Sequence, residues 1–432
     1  MVNKLFFAGV VPAILFLVFS CSPVSKHSLN RTFRETEARF RDHTGFMLYD
    51  PQTQKSIFEY NSATYFTPAS NTKIFTFYTA LSIIRDSIPA FRYVERGDSL
   101  IFWGTADPSL LYDEVYSTDR VTSFLGSTQK SLYFASGNYQ TSHFGNGWAW
   151  DDYNDYYSAE RSSLPVYGNL IHLIASPSAI DVMPEYYKKF ISYSTLPDNQ
   201  RALRNPYSNI INVHVPVIQN FETHIPARMD NDLVAHLLSD TLKRTVTLVD
   251  KQLPDNAATF YASPSDSIYK VMMQESDNFI AEQLLLVCAG ILSDTLKPEI
   301  AIKYMKQNGL KDLADEPIWI DGSGLSRYNL FTPRSIVQLW EKLYKMVPSK
   351  RLFPLLAIGG KAGTIRNLYK AEPPYIFGKT GSLSNNHCLS GYLVTRKGKT
   401  LIFSFMNSNF AGPTSEVRNN MQIILRRIYE NF

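Results

Sequence analysis

The stretch Pro68-Ala69-Ser70-Asn71-Thr72-Lys73 decides how this 432-residue chain is interpreted. Apolar residues recur at helical spacing after it, and neither proline nor glycine occurs until Pro89. This pattern predicts a helix with Ser70 at its N-terminus and Lys73 one turn inside. Side chains three residues apart share a helix face, so Lys73 is placed to take the hydroxyl proton of Ser70. The helix N-terminus adds backbone N–H groups that favour developing negative charge.

The serine–lysine spacing alone identifies no site, because Ser127-x-x-Lys130 and Ser267-x-x-Lys270 repeat it. Two further motifs follow in order. Ser276-Asp277-Asn278 offers a hydroxyl that can pass a proton and an amide that can hold a carbonyl, although Ser276 could instead be a helix N-cap. Lys379-Thr380-Gly381-Ser382 follows an apolar strand-like run, although an isolated match of this kind is also typical of a turn lysine.

Each residue of the third motif has an expected role. A strand edge can pair with an extended peptide, and Gly381 lets two backbones approach closely. Lys379 and Thr380 can hold a terminal carboxylate. We expect the backbone N–H groups of Ser382 and Ser70 to form an oxyanion hole. The three motifs in this order are the signature of serine β-lactamases and penicillin-binding proteins.

The N-terminus predicts export and a lipid anchor. Lys4 precedes a mostly apolar run, residues 5–19, which is shorter than the roughly 20 residues of a transmembrane helix. Residues 1–20 therefore resemble a signal peptide. Val18-Phe19-Ser20-Cys21 resembles a lipobox, so we expect lipidation at Cys21 and attachment to the periplasmic face of a bacterial membrane. The alternative is an ordinary signal peptide followed by an unmodified cysteine.

Hydrophobic patterning predicts an α+β fold, with an antiparallel sheet flanked by helices and a large β-rich insertion. Strand-like runs occur at residues 45–50, 56–60, 375–378, 391–394 and 401–405. Helical patterns occur at residues 230–243, 267–287, 334–346 and 417–428. We expect one catalytic domain from residues 21–90 and 252–432, a β-rich insertion from residues 91–251, and a sheet that uses both ends of the chain.

Charge and cysteine content exclude some function classes. The net charge of +4 is not gathered into basic runs, so a nucleic-acid site is not expected. Apart from Cys21, only Cys288 and Cys388 occur; they could pair, but we expect them to be buried as small hydrophobic side chains. No HExxH, CxxC or EF-hand spacing occurs, so neither a metal nor a cofactor is expected.

The chain resembles the penicillin-binding protein 4 type of D-alanyl-D-alanine carboxypeptidase/endopeptidase. The resemblance rests on residues 68–73, 147–152, 275–282, 321–327 and 378–383. It implies that a stem-peptide carbonyl of peptidoglycan acylates Ser70, that D-alanine or a crosslinked amine leaves, and that water hydrolyses the ester. It also implies that β-lactams trap the same serine.

The resemblance further suggests how the stem peptide is recognised. Arg327 is a candidate to hold the carboxylate of the peptide's third residue, and Asp155 to hold its amine. A surface salt bridge is the alternative for Arg327. The polar run Ser384-Asn385-Asn386-His387-Cys388 departs from the expected pattern and leaves substrate preference open.

Two other functions stay in contention. A serine β-lactamase would need fast deacylation, but no Glu-x-x-Leu-Asn segment follows Ser276, and the insertion is longer than expected for that class. A non-catalytic wall-binding lipoprotein could keep the same fold. The intact motif residues argue against it.

Overall fold

The computed structural model describes residues 26–115, 119–197 and 200–432. The predicted signal peptide, residues 1–20, and the predicted lipidation site Cys21 lie outside these ranges. Within them, no helix has the combined length and apolarity that crossing a membrane requires.

The described residues form the following helices and strands, each numbered in chain order. The helices are α1 Lys26–Phe40, α2 Lys73–Ile83, α3 Arg120–Ser127, α4 Asn231–Leu242, α5 Ser265–Gln274, α6 Asn278–Ser293, α7 Pro298–Gln307, α8 Pro333–Met346, α9 Ser349–Leu352 and α10 Thr414–Asn431. The strands are β1 His43–Asp50, β2 Lys55–Tyr60, β3 Ser87–Arg96, β4 Ser99–Gly104, β5 Ser131–Ala135, β6 Leu170–Ala175, β7 Ile180–Met183, β8 Ile191–Ser194, β9 Ala202–Arg204, β10 Ile211–His214, β11 Phe221–Pro226, β12 Val246–Leu248, β13 Ala258–Pro264, β14 Ala357–Ile358, β15 Ile376–Leu383, β16 Asn386–Val394 and β17 Thr400–Ser408.

Strands from both ends of the chain build one six-stranded antiparallel sheet, in the order β14-β15-β16-β17-β1-β2. Successive side chains of a strand face opposite sides, so each face supplies a separate core. On β17, Phe403 and Phe405 pack with residues of α1 and α10. Ile402 and Met406 pack on the other side with residues of α2, α6 and α8. This sheet between two helical layers confirms the predicted α+β class.

The residues between α2 and α5 add a second, β-rich body with its own core. Its largest sheet has the order β12-β5-β4-β3-β13, and two three-stranded sheets, β8-β10-β9 and β11-β6-β7, complete it. Strand β3 pairs antiparallel with β13, so the chain enters and leaves the β-rich body on two neighbouring strands. The domain boundaries at residues 90 and 251 stay predictions.

Three local predictions need correction. The helix predicted over residues 267–287 is two helices, because Ser276 has a φ of 66° that a helix cannot contain. The helix predicted from Ser70 begins at Lys73, after a 3-10 turn. Lys379 lies inside β15 and not at its end, because pairing with β16 continues to Leu383.

Candidate active site

Ser70 lies in a tight 3-10 turn, Ala69–Thr72, that leads directly into α2. Ala69 has a φ of 48°, a region where side chains are strained. A second backbone presses on the turn: a Cβ on Gly324 would lie 1.9 Å from the carbonyl oxygen of Ala69. Packing therefore holds the strained turn, which leaves Ser70 half-buried with its hydroxyl in a cavity.

Lys73 is fully buried beside this serine. Its Nζ donates to Ser70 Oγ at 2.9 Å, to Asn278 Oδ1 at 2.5 Å and to the carbonyl oxygen of Ser323 at 2.8 Å. Burial lowers the pKa of Lys73 to about 8, while nearby carboxylates, Asp277 first, act in the opposite direction. The predicted nucleophile and base are thus in contact, and the lowered pKa of Lys73 favours its uncharged amine, the form that can accept a proton.

The break between α5 and α6 positions the second motif. Asp277 is the N-cap of α6: its Oδ1 accepts a bond from a backbone N–H of the first turn at 2.7 Å, and Tyr112 Oη donates to its Oδ2 at 2.6 Å. The alternative that Ser276 is the cap is therefore wrong. The left-handed backbone at Ser276 instead turns this residue into the cavity beside Asn278.

Lys379 joins the second motif to the third. Its buried Nζ donates to Ser276 Oγ at 2.7 Å and to the carbonyl oxygen of Thr380 at 2.9 Å. Burial, reinforced by the positive charge of Lys73, lowers the pKa of Lys379 well below its usual value. Lys379 is thus a buried strand residue, and the turn-lysine alternative is wrong.

Strand β15 touches the nucleophile's turn directly. A Cβ on Gly381 would lie 2.4 Å from the carbonyl oxygen of Pro68 and 3.0 Å from the backbone nitrogen of Ser70. Asn71 Nδ2 also donates to the carbonyl oxygen of Lys379 at 3.0 Å. The close approach expected of Gly381 is thus to another backbone segment of the same chain, residues 68–70.

A loop that the motif analysis assigned no structural role holds this arrangement together. Asp321 Oδ2 accepts bonds from Ser326 N at 2.7 Å and Trp148 Nε1 at 3.0 Å, and its Oδ1 accepts from Gly324 N at 2.9 Å. One buried carboxylate therefore shapes residues 321–326. The Asp-Gly-Ser-Gly composition was the available signal, because these residues favour turns.

Behind the loop, a buried ion pair supports Lys73. Glu282 Oε1 accepts a bond from Ser323 N at 2.7 Å, and Glu282 Oε2 lies 3.5 Å from Arg161 Nε. Both side chains are almost completely buried, and burial raises the pKa of Glu282 to about 7. Glu282 thus holds the backbone N–H of Ser323, the residue whose carbonyl oxygen accepts a bond from Lys73.

The cavity around Ser70 has a volume of about 870 Å³, and Thr380, Ser382 and Arg327 line it among the predicted substrate-binding residues. Arg327 is exposed on its wall, and its Nη1 lies 3.5 Å from the carbonyl oxygen of Ser384. Asp155 is exposed and accepts a bond from Tyr157 Oη at 3.0 Å, but it is not among the residues that line the cavity. Asp152 does line it. Burial raises the pKa of Asp152, and the charge of Arg327 acts against this shift.

The unexpected polar run contributes a cluster at the cavity rim. Asn385, with a φ of 67°, turns the β15–β16 hairpin, and Ser382 then pairs with His387 across it. Ser382 Oγ lies 2.8 Å from His387 Nδ1, and Arg418 Nη2 from α10 donates to Ser382 Oγ at 3.3 Å. Burial lowers the pKa of His387 to about 3, so its imidazole is neutral. Sequence analysis missed Arg418, which carries no motif.

The cysteine prediction is confirmed for the described residues. Cys288 and Cys388 are both buried free thiols. They therefore form no disulfide with each other.

Comparisons with known proteins agree with this geometry. Residues 27–428 match the model of the D-Ala-D-Ala carboxypeptidase 3 (S13) family. The chain is 22% identical to the D-alanyl-D-alanine carboxypeptidase DacB of Haemophilus influenzae over 86% of each chain. It is similar to the crystal structure of penicillin binding protein 4 from Haemophilus influenzae, with a TM-score of 0.75, 18% identity and coverage of 94% of this chain and 100% of that one. A second crystal structure of that protein, complexed with a β-lactam, matches with a TM-score of 0.69, 17% identity and coverage of 92% and 99%.

Proposed function

Because this chain belongs to the D-Ala-D-Ala carboxypeptidase 3 (S13) family, we propose that it hydrolyses the D-alanyl-D-alanine bond of peptidoglycan stem peptides through an acyl-enzyme on Ser70. One observation carries the assignment of roles. Ser70 Oγ lies 2.9 Å from the Nζ of a completely buried lysine and lines an open cavity. We also propose that β-lactams acylate the same hydroxyl.

Acylation begins with neutral Lys73. With a pKa of about 8, roughly one lysine in ten is neutral at pH 7. Its Nζ accepts the hydroxyl proton while Ser70 Oγ bonds to the carbonyl carbon. The charge that develops on the carbonyl oxygen is stabilised by the backbone N–H groups of Ser70 and Ser382.

The leaving amine departs with a proton. We assign its delivery to Ser276, whose hydroxyl is bonded to Lys379 and lines the cavity beside Asn278. As the C–N bond breaks, Ser276 gives its hydroxyl proton to the amine nitrogen. The proton that Lys73 took from Ser70 then restores the hydroxyl of Ser276, so that one proton passes in total from Ser70 to the amine. Water hydrolyses the ester, which restores the hydroxyl of Ser70. Lys379 keeps Ser276 oriented because its Nζ has a buried, fixed position.

Recognition of the stem peptide uses the cavity walls. Thr380 lines the cavity and holds the terminal carboxylate, with the buried Lys379 behind it, and Arg327 on the cavity wall holds the carboxylate of the third residue. For the amine of that residue we favour Asp152 over Asp155, since Asp152 lines the cavity. The same chemistry cleaves a crosslink when the leaving amine belongs to a second stem peptide, so we extend the proposal to endopeptidase activity.

Export and anchoring complete the proposal. Residues 1–20 act as a signal peptide, and Cys21 carries the lipid that holds the enzyme on the periplasmic face of a bacterial membrane. Metabolic labelling with a radioactive fatty acid tests this. A Cys21→Ser chain that keeps the label contradicts it.

The sequence supplies a matched control for the nucleophile. Ser127 has the same spacing to Lys130 but lies at the end of α3, remote in sequence from the other motifs. We expect wild-type and Ser127→Ala protein to release D-alanine from a synthetic pentapeptide and to take a fluorescent penicillin label, and Ser70→Ala protein to do neither. Equal labelling of Ser70→Ala contradicts the assignment.

The β-lactamase alternative predicts a different result. Steady-state hydrolysis of a chromogenic cephalosporin at many turnovers per second, with no D-alanine release, would establish it. An unlabelled wild-type protein would favour the non-catalytic lipoprotein.

A further inference from the structure

Three side chains that no motif singled out lie together on the outer face of the β11-β6-β7 sheet. Along β6, Ile171 and Leu173 point into the core, so His172 points outward. On β11 the outward residues are Glu222 and His224, since residues 221 and 225 are buried. The three outward side chains therefore share one face, although the sequence separates His172 from the other two.

Strand register brings the three together. His172 and His224 are directly opposite each other in the antiparallel β6–β11 pair, with ring centroids 4.3 Å apart and planes inclined by 16°. Glu222 is two residues along the same strand, and its Oε1 lies 2.6 Å from His172 Nε2. One ligand atom from each residue lies within 4.8 Å of the other two.

We propose that His172, Glu222 and His224 form a zinc-binding site. Two imidazoles and a carboxylate are a ligand set that suits Zn²⁺. Tetrahedral bonds of about 2.0–2.1 Å place ligand atoms about 3.3 Å apart. His172 Nε2 and Glu222 Oε1 are hydrogen-bonded at 2.6 Å, so a zinc ion would replace this bond and move the two atoms apart by about 0.7 Å, which stays within the 4.8 Å that encloses the three ligand atoms.

The surroundings fit a cation. The carboxylates of Glu222 and Asp113 place two negative charges near His224. Nδ1 of His172 is buried and has no hydrogen-bond partner among the described residues.

The site has a place for a fourth ligand. Both histidines line a cavity of about 940 Å³, which also touches Ser276 and Asn278 of the active site. A zinc ion bound by three protein groups keeps one coordination position open. Because both histidines line the cavity, we assign that position to the cavity side, where water or the carboxylate oxygen of a bound peptide would fill it.

Metal titration of the full-length mature protein tests the site. The protein is prepared without a histidine tag, stripped with a chelator and titrated with Zn²⁺ in a calorimeter and with Co²⁺ by visible absorption. We expect one ion per chain and the d–d bands of a tetrahedral Co²⁺ site. His224→Ala and His172→Ala should each weaken binding at least tenfold. His236→Ala, a change at an exposed histidine on α4, is the matched control and should bind like wild type.

The rate of labelling by a fluorescent penicillin shows whether each variant is folded. A variant that labels at the wild-type rate is folded, so its lost zinc binding reports on the site alone. Absence of zinc binding by wild type, or unchanged binding by the His172→Ala/His224→Ala double variant, overturns the proposal. Equal weakening by His236→Ala also overturns it. None of these outcomes changes the test of Ser70.

Discussion

Replacement of Gly381 by alanine tests whether contact between β15 and the nucleophile's turn sets the catalytic geometry. The new Cβ would lie 2.4 Å from the carbonyl oxygen of Pro68, whereas ordinary van der Waals contact begins at 3.4 Å. The turn and the strand must therefore separate by about 1 Å, a displacement that costs on the order of 100-fold in rate, or about 2.7 kcal/mol of transition-state stabilisation. Overpacking should also destabilise the fold by about 1–3 kcal/mol.

The assay is the second-order rate constant for acylation by a fluorescent penicillin, measured beside thermal unfolding. Gly126→Ala is the control, because a Cβ there meets no atom within 4 Å and α3 gains a better helix former. We expect Gly126→Ala to react at the wild-type rate and Gly381→Ala to react about 100-fold more slowly while still folded. A folded Gly381→Ala protein that reacts within threefold of wild type refutes the reasoning.

Three further predictions follow from the site. Acylation should speed up about tenfold from pH 7 to pH 9, since neutral Lys73 is the base and its pKa of about 8 is crossed in that interval; a flat pH–rate profile contradicts this. Arg161→Met should lower the free energy of unfolding in urea by about 3 kcal/mol because it leaves Glu282 buried without its partner, whereas Arg39→Met, at an exposed ion pair, should leave the transition unchanged. Arg327→Ala should reduce kcat/KM about 10- to 100-fold for a pentapeptide with a free carboxylate on its third residue but not for the amidated peptide; equal losses for both peptides would exclude the proposed contact.

Sequence reasoning found the nucleophile and base because their relation is local. Ser70 and Lys73 are three residues apart, and one helical turn determines their geometry. The contacts of Lys73 with Asn278 and Ser323 depend on tertiary packing, which spacing does not encode. The order of the three motifs indicated that their residues meet in one site, but it did not indicate which side chains contact each other.

The errors have equally physical causes. Both serine and aspartate cap helices, so the sequence could not choose between Ser276 and Asp277. The choice between Asp155 and Asp152 is not one that sequence can make, because one 3-10 turn, Trp150–Asn154, contains Asp152 and is followed directly by Asp155. The contact between Ser382 and His387 depends on the register of the β15–β16 hairpin. A register shift of one residue would turn one of the two side chains to the opposite face of the sheet.

The sheet shared by the two chain ends has a consequence for the timing of activity. Strand β1 pairs with β17, and Lys379 comes from β15, so the site cannot assemble until the last strands have emerged. A chain that is synthesised or threaded through a membrane from its N-terminus thus exposes the serine early but stays inert until its final segment arrives. A truncated chain that ends before β15 should accordingly take no penicillin label.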